Sequence, residues 1–255
     1  MEKVKEGDTV YLKGKKAGFF VKVKAGEVFS THLGNINLDS LIGKEYNSFI
    51  ESHKGDSFII LKPTLYEIIM MGINRKTQIV YPKDSAYITL KLGLRSGMKV
   101  LESGIGSGAM SIVMANALYP DGRIYAYERE KDFLENAVKN IDLAGFKDVV
   151  IPHHKDLSED IDEKDFDAAF IDVREPWYYI SKVRELLKPG SMVGFLVPTT
   201  NQVSEVIKEL KNCQFIDIEV EEILVRPYKP VPDRLRPEDR MVAHTGYLIF
   251  ARKGF

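Results

Sequence analysis

The chain has 255 residues, 44% of them hydrophobic, and a formal net charge of −1 from 36 basic and 37 acidic side chains. That length supports one large domain or two unequal ones. The near-neutral balance excludes a wholly basic nucleic-acid binder but leaves room for a local basic patch. No apolar run approaches the ~18–20 residues of a membrane span, and the charged start Met1-Glu-Lys-Val-Lys5 lacks the apolar stretch of a signal peptide. A cytoplasmic protein is expected. Cys213 is the single cysteine, which excludes an intrachain disulfide and a cysteine metal cluster and leaves only a disulfide between subunits open; no metal is expected.

In chain order, the first sixty residues read as short strands at Thr9–Leu12, Gly18–Val23, Glu27–Thr31 and Ser57–Leu61, rich in β-branched and aromatic residues and bounded by Gly, Asp and Lys. Thr64-Leu-Tyr-Glu67 has the spacing of a capping box, and Ile68–Met71 follows it before Gly72. A second helix is expected from Asp84. From Met98 strands and helices alternate. The strands are Lys99–Glu102, Arg123–Glu128, Val149–His153, Ala168–Asp172 and Met192–Val197; the helices are Ala109–Leu118, Lys131–Ala144, Tyr178–Leu187 and Gln202–Leu210. This predicts a mostly parallel sheet covered on both faces. Two late strands, Phe215–Val225 and Gly246–Arg252, flank a loop rich in Pro and Arg. The expected organisation is a small β-rich domain over 1–62, a helical connection over 63–97 and a doubly wound α/β domain over 98–255.

The chemistry concentrates where the first strand of that domain meets its first helix. Gly104-Ile-Gly106-Ser-Gly108 permits a tight turn and close backbone approach by a ligand. Glu128 ends the next strand, where a carboxylate can accept hydrogen bonds from both hydroxyls of a ribose. Asp156 follows the third strand and is placed to accept from an adenine amine; Glu102 stands just before the loop, and Asp172 ends the fourth strand. Each acid alone is explained by solvated surface. Acids after four successive strands, beside a Gly-rich loop, suit a cofactor carrying sulfonium and ammonium charges and suit a pyrophosphate poorly. S-adenosylmethionine is therefore the expected cofactor.

Leu101-Glu-Ser-Gly-Ile-Gly-Ser-Gly108 and Gly122-Arg-Ile-Tyr-Ala-Tyr-Glu128 resemble the tRNA adenine-N1 methyltransferase family, which modifies the T-loop adenine at position 58. Thr77-Gln-Ile-Val-Tyr-Pro-Lys-Asp84, Asp172-Val-Arg-Glu-Pro-Trp177 and Arg236-Pro-Glu-Asp-Arg-Met-Val-Ala-His-Thr-Gly246 are similar to further segments of that family, and the last two separate it from other methyltransferases. Two departures stand out. Ile105 replaces a usual Thr, and Arg174 stands where an uncharged residue is usual. The likeness covers nearly the whole chain. It implies a class I methyltransferase fold, a tRNA substrate with position 57 also open, and a homotetramer.

With that resemblance, the expected cofactor set is Gln78, Glu102, Gly104, Gly106, Ser107, Gly108, Ala109, Met110, Glu128, Phe133, Asp156, Leu157 and Asp172. Asp172 is the expected catalytic residue, accepting from the exocyclic amine beside N1 and stabilising the positive charge that grows on the ring; a helix cap is the alternative reading of this Asp. The target base must be extruded from the folded RNA, so Tyr81 and Trp177 are candidate walls, with Trp177 equally well placed in a core. His244 and Thr199 are further substrate candidates, His244 with a structural role as its even alternative. Arg234, Arg236 and Arg240, in the late loop with Arg226 and Lys229, are candidate phosphate contacts, and the lysines at 13, 15, 16, 22 and 24 are a second basic set that a solvated face explains equally well. The rival readings are another methyltransferase on the same scaffold, with a protein or small-molecule substrate, a non-catalytic RNA-binding subunit, and a nicotinamide dehydrogenase.

Overall fold

The computed structural model describes residues 2–254, which divide into two compact units, one of residues up to 74 with 139–147 and one of 75–138 with 148 onward.

The first unit contains strands β1 (Thr9–Gly14), β2 (Gly18–Lys22), β3 (Val28–Thr31), β4 (Gly34–Asn37), β5 (Phe49–Glu51) and β6 (Ser57–Leu61). They form an antiparallel sheet in the order β2-β1-β6-β5 and a separate β3-β4 hairpin. Alternate side chains Val10, Leu12, Val21, Ile50, Phe58 and Ile60 build its core, as the period of two requires. β4 and β5 were not expected from the sequence: at three or four residues they are too short to carry a readable alternation. The capping box is present. Thr64 Oγ1 accepts from the Glu67 amide, the Glu67 carboxylate accepts from the Thr64 amide, and the short helix α1 (Leu65–Glu67) runs into a π-turn over Ile68–Gly72.

The second unit opens with α2 (Pro82–Lys91). It starts two residues before the expected Asp84, because Pro82 at the first helical position needs no N–H partner and has a φ suited to the helix. Then follow β7 (Lys99–Ser103), α3 (Ala109–Leu118), β8 (Arg123–Glu128), α4 (Lys131–Leu143), β9 (Val150–His154), β10 (Phe166–Ile171), α5 (Ile180–Leu186), β11 (Leu187–Val197), α6 (Thr200–Asn212), β12 (Phe215–Glu221), β13 (Tyr228–Lys229), β14 (Arg236–Pro237) and β15 (Tyr247–Lys253). The last turns of α4, from Lys139, group with the first unit.

Seven strands form one sheet in the order β12-β15-β11-β10-β7-β8-β9. The β11-β10-β7-β8-β9 pairs are parallel, whereas β15 runs antiparallel between β11 and β12. β7 and β10 are buried on both faces, as a sheet with helices on each side demands. The chain reverses its winding between β7 and β10, and an open α/β sheet binds ligands at the crevice beyond that switch point.

Several boundaries differ from expectation, most by one or two residues and three in ways that change the local structure. β11 begins at Leu187, not Met192: Lys188-Pro-Gly190 reads as a turn, but the strand passes through it with a register shift against β10, and Gly190 takes φ +78° there. Consequently α5 ends at Leu186, and its expected first turn is a 3-10 turn over Pro176–Tyr179. β12 ends at Glu221, and the loop beyond it contains the small β13-β14 hairpin.

Candidate active site

A cavity of about 440 Å³ opens beyond the carboxyl ends of β7, β8, β9 and β10, within the size range of small-molecule sites. Its floor is the glycine loop. Gly104 takes φ +88°, and a Cβ there would lie 2.0 Å from the Asp172 carbonyl oxygen, so only glycine lets this loop pass the end of β10. Gly108, at φ +79°, turns the chain into α3. Ser107 secures the loop from behind: its Oγ accepts from the amides of Lys76 (3.1 Å) and Thr77 (3.0 Å) and lies 2.9 Å from Thr77 Oγ1. That clamp draws Thr77 and Gln78 onto the cavity wall.

Glu128 is nearly buried. Its Oε2 accepts from the Gly106 amide at 3.1 Å and its Oε1 from the Glu130 amide at 3.0 Å. Each carboxylate oxygen keeps an acceptor site beyond those bonds. Asp172 follows β10, and its amide donates to Ser103 O at 2.9 Å, but its half-buried carboxylate receives no hydrogen bond among the described residues. Burial first, and then the negative charge of Glu128, push its pKa up to about 7. Glu102 is buried behind the loop and accepts from Ser111 Oγ at 2.7 Å. Burial raises it to about 8, against the Ser111 hydrogen bond, with Asp172 and Glu128 adding to the rise.

Asp156 is committed differently. Oδ1 accepts from the Ser158 amide and hydroxyl, and both oxygens lie 3.2 Å from Tyr179 Oη. Burial opposes its charge, but the bonds from Ser158 and Tyr179 prevail and hold it below the usual carboxylate range. Only Oδ2 has acceptor capacity to spare for a ligand.

Of the residues expected from the sequence, Gln78, Gly104, Gly106, Glu128, Phe133, Asp156, Leu157 and Asp172 line the cavity together. Glu102, Ser107, Gly108, Ala109 and Met110 form a buried layer behind it. The substrate candidates lie off the lining. Tyr81 caps α2 with its carbonyl, which accepts from the Asp84 and Ser85 amides. Trp177 packs against the core. Thr199 caps α6 and bonds Gln202, whose Nε2 donates to the Arg174 carbonyl at 3.0 Å. His244 places its ring nitrogens 2.6 Å from Glu222 Oε1 and 2.9 Å from the Pro198 carbonyl. Both partners are acceptors, which favours the protonated ring, and its pKa is raised by the Glu222 bond first and the Pro198 bond second. Arg234, Arg236 and Arg240 are exposed at the hairpin, Arg236 3.2 Å from Asp239.

The sequence reading missed several lining residues: Thr77, Arg129, Lys155, Tyr178 and Tyr179, with Arg174 noted only as a departure. Arg129 and Lys155 sit next to the expected acids Glu128 and Asp156, so the strand-end argument that found the acids applies to their neighbours. The result is an acidic interior with a cationic rim.

This sheet order, with a glycine loop and converging acids at its switch point, defines a class I methyltransferase. The family model described as "tRNA methyltransferase complex GCD14 subunit" matches residues 57–236. The chain is 31% identical over 253 residues to the tRNA (adenine(57)-N(1)/adenine(58)-N(1))-methyltransferase TrmI of Methanocaldococcus jannaschii, covering 89% of this chain and 88% of the relative. It is 28% identical to the tRNA (adenine(58)-N(1))-methyltransferase TrmI of Thermus thermophilus, over 95% of each. Among solved structures, the tRNA (m1A58) methyltransferase TrmI of Aquifex aeolicus superposes with a TM-score of 0.77 at 41% identity over 98% of each chain. A SAM-dependent O-methyltransferase of Thermotoga maritima superposes with 0.83 at 44% identity, over 99% of this chain and 95% of that one. The chain belongs to the GCD14 tRNA methyltransferase family.

The site fits S-adenosylmethionine. Glu128, Asp156 and Asp172 line a cavity of suitable size, with Glu102 buried behind it, and a ligand bearing sulfonium and ammonium charges relieves the repulsion among these acids. A pH dependence follows. Asp172 and Glu102 hold protons up to about pH 7 and 8, and a cation favours their ionised forms, so binding releases protons and tightens as pH rises through that window. The same raised values make the cofactor-free fold less stable as pH climbs from about 4 towards 7–8, since the folded state holds protons that the unfolded chain gives up. Calorimetry in buffers of different ionisation enthalpy should register net proton release near pH 7, diminished in Glu102→Gln. Zero release across pH 6–8 would show that these acids are not coupled to the ligand.

Proposed function

We infer that the chain transfers a methyl group from S-adenosylmethionine to N1 of the T-loop adenine at position 58 of tRNA. The observation that carries this reading is the carboxylate of Asp172, which lines the cavity and receives no hydrogen bond among the described residues. Adenine N1 has a ring lone pair and needs no deprotonation, but the product ring is cationic. An acceptor fixed beside the exocyclic amine draws that N–H toward itself, pushes electron density to N1 and stabilises the growing charge. The cofactor supplies an electrophilic methyl group on a sulfonium.

The chain's own groups do the rest. Glu128 is proposed to hold the ribose, Asp156 Oδ2 the adenine amine of the cofactor, and the Ser107 clamp fixes Thr77 and Gln78 over the loop. Thr199 and Gln202 hold the loop that follows Asp172 through the Arg174 carbonyl. Orientation of this kind accounts for much of the acceleration in a bimolecular transfer.

The test is nucleoside mass spectrometry of unmodified tRNA after incubation with enzyme and cofactor. N1-methyladenosine located at position 58 by primer extension is the expected product; a 2′-O-methylated nucleoside or no product would overturn the reading. The Methanocaldococcus relative is named for positions 57 and 58, so a substrate with adenine at both positions should be used.

A homotetramer is proposed as the working form. β12 is an edge strand and exposes Ile216 and Val220, with Leu224 and Val225 exposed just beyond it. An exposed apolar edge ordinarily has a partner. Light scattering should give four times the 29.0 kDa chain mass; a monomer at micromolar concentration would dismiss the assignment.

A further inference from the structure

The first unit has a groove that the methyl-transfer site does not use. It encloses about 500 Å³ and is lined by Lys13, Lys15, Lys16, Phe49, Asp56 and Ile59, among others. The sheet register explains how these residues meet. Lys13 pairs with Ile59 across β1 and β6, and Ile59 pairs with Phe49 across β6 and β5. Side chains in one cross-strand row share a face. The neighbouring positions Leu12, Ile60 and Ile50 point the other way, into the core. The outward face therefore presents an aromatic ring, an aliphatic side chain and an ammonium side by side, with Lys15 and Lys16 in the turn that follows β1.

Phe49 is 62% exposed, unusual for a large aromatic on a three-residue strand with no packing need for it. Lys13 and Lys15 make no side-chain hydrogen bond or salt bridge among the described residues, although Lys13 is near enough to Glu67 to help hold that carboxylate ionised, and the acid that lines the groove, Asp56, is already paired with Lys16 at 2.9 Å. The surface is thus net cationic around an exposed ring. A sheet face with an aromatic platform and flanking lysines matches the chemistry of an unpaired nucleotide, whose base stacks on the ring while its phosphates meet the ammonium groups.

We propose that this sheet face is a second RNA-binding site, at which Phe49 stacks an unpaired base of the tRNA and Lys13 and Lys15 contact its flanking phosphates. The proposal rests on the tRNA reading of the active site. It separates the work of the chain: chemistry at the acidic cavity, and part of the substrate's affinity at a surface in the other unit.

The experiment uses the full chain and an unmodified tRNA transcript. Wild type is first shown to form N1-methyladenosine; failure there is failure of the functional reading, not of this site. Phe49→Ala should then weaken tRNA binding about thirty-fold, the middle of the range for one stacked base. KM should rise by a similar factor, with the rate at saturating tRNA unchanged. Phe49→Trp should restore binding. Lys13→Ala with Lys15→Ala should flatten the slope of log affinity against log salt by about 1.5, from two lost phosphate contacts. Phe49 is exposed, so the unchanged melting temperature expected of each variant is a direct check on folding. A methylating enzyme whose Phe49→Ala variant binds tRNA within two-fold of wild type overturns the stacking site. So does a Phe49→Ala variant that changes only the oligomeric state in light scattering, which would give this face to a second copy of the chain. An unchanged salt slope overturns the phosphate contacts.

Discussion

Asp172→Ala lowers the single-turnover rate of methyl transfer about 10²–10³-fold, the usual loss when one preorganised electrostatic group is removed from a transition state. The magnitude follows from the setting. The carboxylate is half-buried, lacks a donor among the described residues, and is raised to about 7 by its burial first and by the charge of Glu128 second. A charge held under such conditions is costly in the ground state and most useful when positive charge appears next to it. Two consequences distinguish this role from a helix cap. Losing a cap destabilises the fold, whereas losing an acid raised above its unfolded pKa leaves thermal stability unchanged or higher at neutral pH. The wild-type rate also climbs with pH, because the ionised form is the stronger acceptor for the amine and alone carries the negative charge that stabilises the cationic ring. Its midpoint lies at or below about 7, lowered by the cofactor's positive charge. Rapid-quench measurement at saturating cofactor checks the rate, and calorimetry on the same preparation checks whether cofactor affinity falls as well. A wild-type rate at saturation would remove Asp172 from the chemistry.

The α/β half of the molecule was legible because its signals are long. Ala109–Leu118 and Arg123–Glu128 match expectation to the residue, since each element is bounded by glycine or an acid with a definite backbone task. The acids at strand ends were legible for a topological reason: in an open α/β sheet those positions converge whatever the intervening loops do. What the sequence did not yield depends on side-chain placement. Trp177 and Tyr178 are adjacent, yet the 3-10 turn at Pro176 lays Trp177 against the core and Tyr178 on the cavity wall; no pattern of residue types separates them. The Ser107 clamp joins residues about thirty apart in sequence and leaves no local mark. His244 was balanced between pocket and scaffold, and the acceptors Glu222 and Pro198 that occupy both ring nitrogens come from two other parts of the chain. The groove at Phe49 became visible only through register, because β5 is too short to be read and its pairing places Phe49 beside Lys13 across two strands.

Glu128→Ala should weaken S-adenosylmethionine binding by about 1.5–3 kcal/mol, the range for a hydrogen bond to a charged group, which is about 10- to 150-fold in dissociation constant. The alanine variant removes two tasks at once, one proposed and one visible in the structure. One is the proposed acceptance of the ribose hydroxyls. The other is its hold on the Gly106 and Glu130 amides, which shapes the loop before any ligand arrives. Glu128→Gln separates them in part, because a carboxamide oxygen still accepts one of those amides but carries no charge. A third effect depends on charge alone. Glu128 contributes to the raised pKa of Asp172, so its neutralisation shifts the pH–rate midpoint of methyl transfer downward and extends the plateau into more acidic solution. Both variants should show this shift, whereas the loss of affinity should be larger in Glu128→Ala. Calorimetry for affinity and single-turnover rates across pH 5–8 measure the two independently. An unshifted midpoint would mean that the two carboxylates are electrostatically separate once the cofactor is bound, and unchanged affinity in Glu128→Ala would take this acid out of the ribose site.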